Sequence, residues 1–111
     1  MGDRDQLKID VRHTADRLIV SLAGELDMAN APLLQQTIEE ANVDAEAMVV
    51  FDLQELQFMD STGLRIILAL RERCQEHGAQ FAITRSSDQV QRLLSVTGAA
   101  EHLRTIAAVD G

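Results

Sequence analysis

The apolar residues of this chain alternate between strand spacing and helix spacing, and that order constrains the fold more than any other feature. Residues 7–12 alternate apolar and polar side chains, which is typical of a strand with one buried face, and the segment 17–23 is predicted to be the returning strand. The short segment 14–16 between them predicts an antiparallel hairpin. Beyond residue 30 helical and strand-like segments follow one another, so right-handed crossovers and a largely parallel sheet are expected.

The later elements have recognisable ends. Asn30 is suited to cap the first helix, with Pro32 in the first turn, where a missing N–H costs nothing. Gly24 is expected to close the second strand, with a loop at 24–27, and Gly78 is suited to a left-handed helix end. The predicted helices cover about 30–43, 61–77 and 88–96, and the later strands cover 47–53, 80–84 and a short part of 99–111. In the first helix the apolar residues that recur at helical spacing, and so define its buried face, are Leu33, Leu34, Ile38 and Ala41.

The predicted fold class is therefore α/β. We expect one domain spanning residues 1–111, with a mixed sheet of four to five strands and three to four helices. The near-continuous apolar run at 47–53 predicts a central strand covered on both faces.

Composition excludes several functions. The formal net charge of −8 and the absence of Tyr and Trp argue against a nucleic-acid partner.

Cys74 is the single cysteine and is expected to be a small core residue. The three histidines form no metal-binding pair, so neither a metal nor another cofactor is predicted. Lys8 is the single lysine and lies far from any glycine-rich turn, which disfavours a phosphate-binding loop or a Schiff base. The sequence has no apolar stretch long enough to insert into a membrane, so a cytoplasmic protein is expected.

The segment 60–64, Asp-Ser-Thr-Gly-Leu, lies where an apolar strand leads into the longest helix. A hydroxyl at a helix start lies near unpaired N–H groups and the positive end of the helix dipole, which favour a phosphate. Two interpretations of Ser61 stay open here: a site of modification, or an ordinary N-cap, with Asp60 as the competing cap. Asp52, expected near the carboxyl end of the third strand, is either a structural carboxylate or a functional one. The surroundings of Ser61 lack a Gly-x-Ser-x-Gly motif, so no catalytic residue and no enzymatic function are predicted.

Helical geometry divides the helix after Asp60 into two faces. The predicted sheet-facing side contains Gly63, Ile66, Ile67, Leu70, Cys74 and His77. The opposite side contains Ser61, Leu64, Arg65, Leu68 and Glu72. Leu64 and Leu68 would then be exposed beside the hydroxyl, which is typical of a protein-binding patch. The alternative is that the helix at 30–43 covers them.

Three segments together resemble STAS domains. They are 24–27 (Gly-Glu-Leu-Asp), 49–53 (Val-Val-Phe-Asp-Leu) and 58–64 (Phe-Met-Asp-Ser-Thr-Gly-Leu), and the element order and 96–98 also fit. More narrowly, the chain resembles the bacterial anti-sigma-factor antagonists. The resemblance covers essentially the whole chain, and its motifs are more specific for the superfamily than for the subfamily.

The resemblance implies a phosphorylation switch. The serine matching Ser61 is phosphorylated in that family by the partner, an anti-sigma factor that is a serine kinase, and a metal-dependent protein phosphatase reverses the modification. The unphosphorylated form binds the kinase and releases the sigma factor. Thr62 replaces a second serine found in many relatives and is a minor alternative acceptor. The expected partner-binding residues are Asp27, Asp60, Ser61, Thr62, Leu64, Arg65 and Leu68. The alternative function is a STAS scaffold or accessory module of a stress-signalling complex or membrane transport system, without a phosphorylation switch.

Overall fold

The computed structural model describes residues 6–109, which form five strands, three α-helices and two short 3₁₀ helices. The strands are β1 (Leu7–His13), β2 (Leu18–Leu26), β3 (Met48–Met59), β4 (Gln80–Thr84) and β5 (Thr105–Ile106). The α-helices are α1 (Ala31–Ala41), α2 (Ser61–Glu76) and α3 (Asp88–Val96), and the 3₁₀ helices are Val43–Ala45 and Ala99–His102. The predicted hairpin, the alternating helices and strands and the short last strand are confirmed.

The sheet follows chain order, β1-β2-β3-β4-β5, with β1 antiparallel to β2 and the remaining pairs parallel. Each crossover advances the chain by one strand in the same direction, so crossovers of one hand place their helices on one face of the sheet. Accordingly α1, α2 and α3 all contribute side chains to a single apolar cluster against that face. This is the mixed five-stranded α/β fold that the pattern predicts.

The core is mostly aliphatic, and β3 lies at its centre. Val49, Val50 and Phe51 have no exposed surface, so β3 is covered on both faces, as the apolar run predicts. The helices cover the side of Val49 and Phe51. On the opposite face the Arg17 guanidinium donates a hydrogen bond to the Val109 carbonyl over 2.8 Å, which places the end of the described chain there.

Strands β2 and β3 are longer than predicted. The loop expected at 24–27 is wrong for its first three residues, because β2 continues to Leu26 and stays paired with β3 across two register shifts, at each of which β3 has one extra residue. Gly24 has φ +98°, and a Cβ there would collide with the Gln6 carbonyl oxygen, so this position of β2 needs glycine. The second half of β3 was not predicted because Gln54, Glu55 and Gln57 are polar, but it pairs with the extended β2 up to Met59.

Two helix predictions need correction. Leu33, expected on the buried face of α1, is 49 % exposed, and His77, expected on the sheet-facing side of α2, is exposed beyond the helix end. Gly78 takes the predicted left-handed conformation at φ +75°. Within residues 6–109, every helix is too short or too polar to cross a bilayer.

Candidate functional site

The head of α2 meets the loop between β2 and α1 at one edge of the sheet. The backbone N–H of Asp60 donates to the Leu26 carbonyl over 3.1 Å, so the two strand ends are tied together just before the helix begins. The loop at 27–30 and the segment 60–64 therefore form one surface, although residues 31–59 separate them in sequence.

Asp60 holds this surface together. One carboxylate oxygen, Oδ1, accepts the N–H of Gly63 over 3.0 Å, so Asp60 is the N-cap of α2. The other oxygen, Oδ2, accepts the N–H of Met28 in the neighbouring loop, also over 3.0 Å. The structure thus decides between the two predicted caps: Asp60 caps the helix and Ser61 is its first residue.

The carboxylate of Asp27 also accepts hydrogen bonds from backbone N–H groups, here within its own loop. Its Oδ1 accepts the N–H groups of Ala29 and Asn30 at 3.0 and 3.2 Å, which closes a tight turn. Asn30 accepts the Asp27 N–H and donates to the Glu25 carbonyl, both over 2.9 Å. Asn30 stands at the expected cap position of α1, but its side chain organises the loop and makes no cap hydrogen bond.

Ser61 is exposed at the first position of α2. Because the Asp60 carboxylate accepts the capping hydrogen bond, the hydroxyl of Ser61 is not needed to cap the helix. Thr62, the next residue, is half-buried and lines the groove between α1 and α2. The two predicted acceptors therefore differ in access, and Ser61 is the more accessible.

The start of α2 approaches the end of β2 closely because residue 63 is glycine. A Cβ at Gly63 would lie 2.7 Å from Cγ and Cδ2 of Leu26 and 3.0 Å from Cγ of Met59, closer than side-chain atoms pack. Gly63 thus sets how deeply the head of the helix seats against the sheet.

The expected exposure of Leu64 is wrong. Leu64 is 5 % exposed and belongs to the apolar core, so the buried arc of α2 is wider than the helical projection predicts. Leu68 is half-buried and packs against that core, whereas Arg65 is exposed. Of the predicted partner-facing residues beyond Thr62, Arg65 offers the most accessible side chain.

A groove between α1 and α2 runs from the loop past Thr62, the neighbour of Ser61. It is lined by Met28, Ala31, Pro32, Gln35, Thr62, Arg65, Ile66 and Ala69. Met28 is 72 % exposed at its mouth, and sequence reasoning missed it. A lone methionine in a polar loop gives no periodic signal, so only the fold brings it beside the head of α2.

Gln89 is a second residue that the sequence did not identify. Its carboxamide accepts the N–H of Met59 over 2.9 Å and donates to the Met59 carbonyl over 3.1 Å. Ser87, the N-cap of α3, donates to the Gln57 carbonyl over 3.1 Å. The first turn of α3 thus replaces a neighbouring strand where β3 has run beyond β4, and it fixes the backbone just before Asp60.

Asp52 lies inside β3 and not near its carboxyl end, which corrects its predicted place. Its Oδ1 accepts the N–H of Gln54 and the hydroxyl of Thr84, each over 3.1 Å. The Thr84 hydroxyl in turn accepts the N–H of Leu53 over 2.8 Å. These contacts support the structural interpretation of this carboxylate, because they pair polar groups where β3 separates from β4.

The described residues place little other reactive chemistry near Ser61. Cys74 is 3 % exposed, as expected of a core residue, and burial raises the pKa of its thiol. Within residues 6–109 no cluster of three or more His, Cys, Asp or Glu side chains has the arrangement of a metal site. What the head of α2 offers is an exposed hydroxyl, an exposed arginine and an apolar groove, which suit recognition by another macromolecule.

Comparison with known proteins shows the family of this chain. The STAS domain model matches residues 8–111, and the chain belongs to the STAS domain family. The anti-sigma F factor antagonist of Paenibacillus polymyxa is 34 % identical over 93 residues, covering 83 % of this chain and 80 % of that protein. That name describes a regulatory protein.

Solved structures give the same result. A crystal structure of an anti-sigma factor antagonist from Mycobacterium paratuberculosis superposes with a TM-score of 0.85 at 26 % identity, covering 99 % of this chain and 93 % of that one. The Bacillus cell fate determinant SpoIIAA in its phosphorylated form superposes with a TM-score of 0.72 at 16 % identity, covering 93 % of this chain and 95 % of that one. At that identity the second likeness shows the fold alone.

Proposed function

We propose that this chain is an anti-sigma-factor antagonist whose binding is switched by phosphorylation of Ser61. In its unmodified form it binds an anti-sigma factor that is a serine kinase, and the bound sigma factor is released. Phosphorylation of Ser61 by that kinase ends the binding, and a metal-dependent phosphatase restores the serine. Residues 1–111 act as one cytoplasmic STAS domain that binds proteins, neither nucleic acid nor membrane, and catalyses no reaction.

The observation that supports this proposal most is the position of Ser61. Its hydroxyl is exposed at the head of α2, and Asp60 makes the capping bond. A kinase can therefore reach the oxygen without unfolding the helix. The P. polymyxa relative, named as an anti-sigma F factor antagonist, supports the choice of partner class.

The partner surface that we propose combines two parts of the site. Ser61, Arg65 and Leu68 provide the outer side of α2, and Thr62 and Met28 provide the mouth of the groove. Asp27 and Asp60 shape this surface through hydrogen bonds to loop N–H groups, so we expect them to position the partner-facing backbone. Leu64 is left out of the contact surface because it is buried.

The switch acts through charge. A phosphoserine carries about −1.5 to −2 charges at pH 7, and at a helix N-terminus that charge is stabilising by about 0.3–1 kcal/mol. The neighbouring carboxylate of Asp60 opposes part of this gain. We therefore expect phosphorylation to block the partner by repulsion and desolvation while the fold is unchanged. Amide spectra of the two forms should differ only around residues 27–30 and 60–65, and widespread shifts would contradict this.

Phosphorylation in vitro tests the proposal. The protein is incubated with ATP and the serine-kinase anti-sigma factor of its own organism, and the modified residue is identified by mass spectrometry. We expect the phosphate on Ser61, its loss in Ser61→Ala, and its retention in the matched control Thr62→Val. A protein that stays unlabelled with every kinase of this class in that organism would favour a scaffold function.

A further inference from the structure

The surroundings of Ser61 are unusually poor in positive charge. From Leu18 to Leu64 the sequence contains no Lys, Arg or His, and this stretch supplies both the loop at 27–30 and the residues leading into α2. Two carboxylates, Asp27 and Asp60, lie in these segments. A phosphate on Ser61 would therefore add negative charge to a surface that is already acidic.

Arg65 is the first basic residue after this stretch, and it lies one helical turn beyond Ser61. Both residues are in α2 and both are exposed. Side chains at positions i and i+4 are neighbours on a helix, and the order acidic group first, basic group second is the favourable one. A phosphate and a guanidinium also form stronger hydrogen bonds than neutral groups do, often in pairs.

The guanidinium of Arg65 is available for such a pair. Among the ion pairs formed within residues 6–109, none includes Arg65. Arg73, near the other end of the same helix, is by contrast engaged, because it binds Asp44 and Glu39. Arg65 instead borders the α1–α2 groove, where it is open to a partner.

We propose that Arg65 is the counter-charge of a phosphate on Ser61. In the unmodified protein its guanidinium is available to a partner. After phosphorylation it turns toward the phosphate and forms a hydrogen-bonded ion pair within the first turns of α2. Phosphorylation thus changes the partner surface twice, by adding negative charge and by removing an available positive one. This inference rests on the proposed function for the biological source of the phosphate, and its geometry concerns this chain alone.

The phosphate itself reports the pairing. Phosphoserine is installed at position 61 during synthesis of the full chain, without a kinase, and its second ionisation is followed by ³¹P NMR. The ordinary pKa of that step is about 6. The carboxylates of Asp27 and Asp60 act on the phosphate in every variant, so the comparison between variants isolates Arg65. We expect the phosphate pKa to be roughly half a unit higher in Arg65→Gln than in the unsubstituted chain, because the cationic partner is lost.

Two control variants complete the experiment. Arg65→Lys keeps the charge and should keep most of the lowered phosphate pKa. Arg71→Gln removes an arginine of the same helix that lies farther from Ser61, and the phosphate pKa should be unchanged. The inference is overturned if Arg65→Gln leaves the phosphate pKa unchanged, or if Arg71→Gln changes it equally.

The result is independent of the kinase experiment. If no kinase labels Ser61 but Arg65→Gln still shifts the phosphate pKa, the pairing stands and the proposed function fails. If the kinase labels Ser61 but the phosphate pKa is insensitive to residue 65, the proposed function stands and the pairing fails.

Discussion

The two ends of α2 use their polar side chains in opposite ways. Near its C-terminal end, Arg73 donates to both carboxylate oxygens of Asp44 at 2.8 and 3.1 Å and also contacts Glu39 at 3.3 Å. At its head, Asp60 binds backbone N–H groups, and Ser61 and Arg65 are exposed. The C-terminal end therefore joins α2 to the segment after α1, whereas the head presents reactive groups on a fixed backbone.

Within one helix, some polar side chains therefore stabilise the fold and others are available to bind a partner. Charged groups that already form ion pairs within the molecule are less available for contacts with a partner. The exposed hydroxyl of Ser61 and the exposed guanidinium of Arg65 are available for such contacts and lie on a rigid backbone. The comparison implies that Asp60 matters most for stability and that Ser61 matters least, although the two are adjacent. Four substitutions test this order.

Asp60→Ala is expected to have the largest effect. It removes the cap of α2 and the anchor of Met28 together, so unfolding free energy should fall by about 2–3 kcal/mol, as measured by urea denaturation. Asp60→Asn, which keeps one acceptor oxygen, should lose roughly half as much. A loss below about 0.5 kcal/mol for Asp60→Ala would show that the two hydrogen bonds do not organise the site.

Gly63→Ala should come next. The new methyl group must displace Leu26 or Met59, and overpacking typically costs about 1–3 kcal/mol, offset in part by about 1 kcal/mol of helix propensity. We expect a net loss of about 1 kcal/mol and shifted methyl resonances of Leu26 and Met59. The control Gly78→Ala has open space around its Cβ, so it should strain only its left-handed backbone and leave those resonances unchanged. Unshifted methyl resonances in Gly63→Ala would contradict the close approach.

Arg73→Met should have a smaller effect that depends on pH and salt. The hydrogen bond from Arg73 lowers the pKa of the Asp44 carboxyl below its ordinary value of 3.8, so the pair stabilises the folded state fully above that pH. The stability difference between Arg73→Met and the unsubstituted chain should vanish as pH falls through the lowered pKa, and it should shrink in high salt. A difference that persisted unchanged at low pH would indicate lost side-chain packing instead of a lost ion pair.

Ser61→Ala should change stability least, by no more than about 0.5 kcal/mol in thermal or urea unfolding. The reason is that Asp60, and not Ser61, caps the helix. A loss of 1 kcal/mol or more would mean that the serine side chain stabilises the helix start after all.

Much of the fold could be predicted because each element carries a local signal. The alternation in 7–12, the apolar run at 47–53 and the glycine at 78 report directly on strand, buried strand and helix end. The extended parts of β2 and β3 could not be predicted, because Gly24 and the polar residues Gln54, Glu55 and Gln57 are typical of loops, and only the pairing of the two segments makes them strands.

The site divides along the same line. Ser61 and its place at a helix start were visible in the sequence, since an acidic cap candidate and a glycine surround it. The contact of Asp60 with the Met28 loop, the burial of Leu64 and the backbone support from Gln89 depend on contacts between distant segments. A helical projection assumes one flat packing surface, and α2 is covered over a wider arc than that assumption allows.

The central claim is that a phosphate on Ser61 turns off binding to the anti-sigma factor. Isothermal titration of the partner with the unmodified and the Ser61-phosphorylated chain measures this directly. We predict binding of the unmodified form and at least about 100-fold weaker binding of the phosphorylated form, as expected when like charge is forced into an interface. Equal affinity of the two forms would contradict the account.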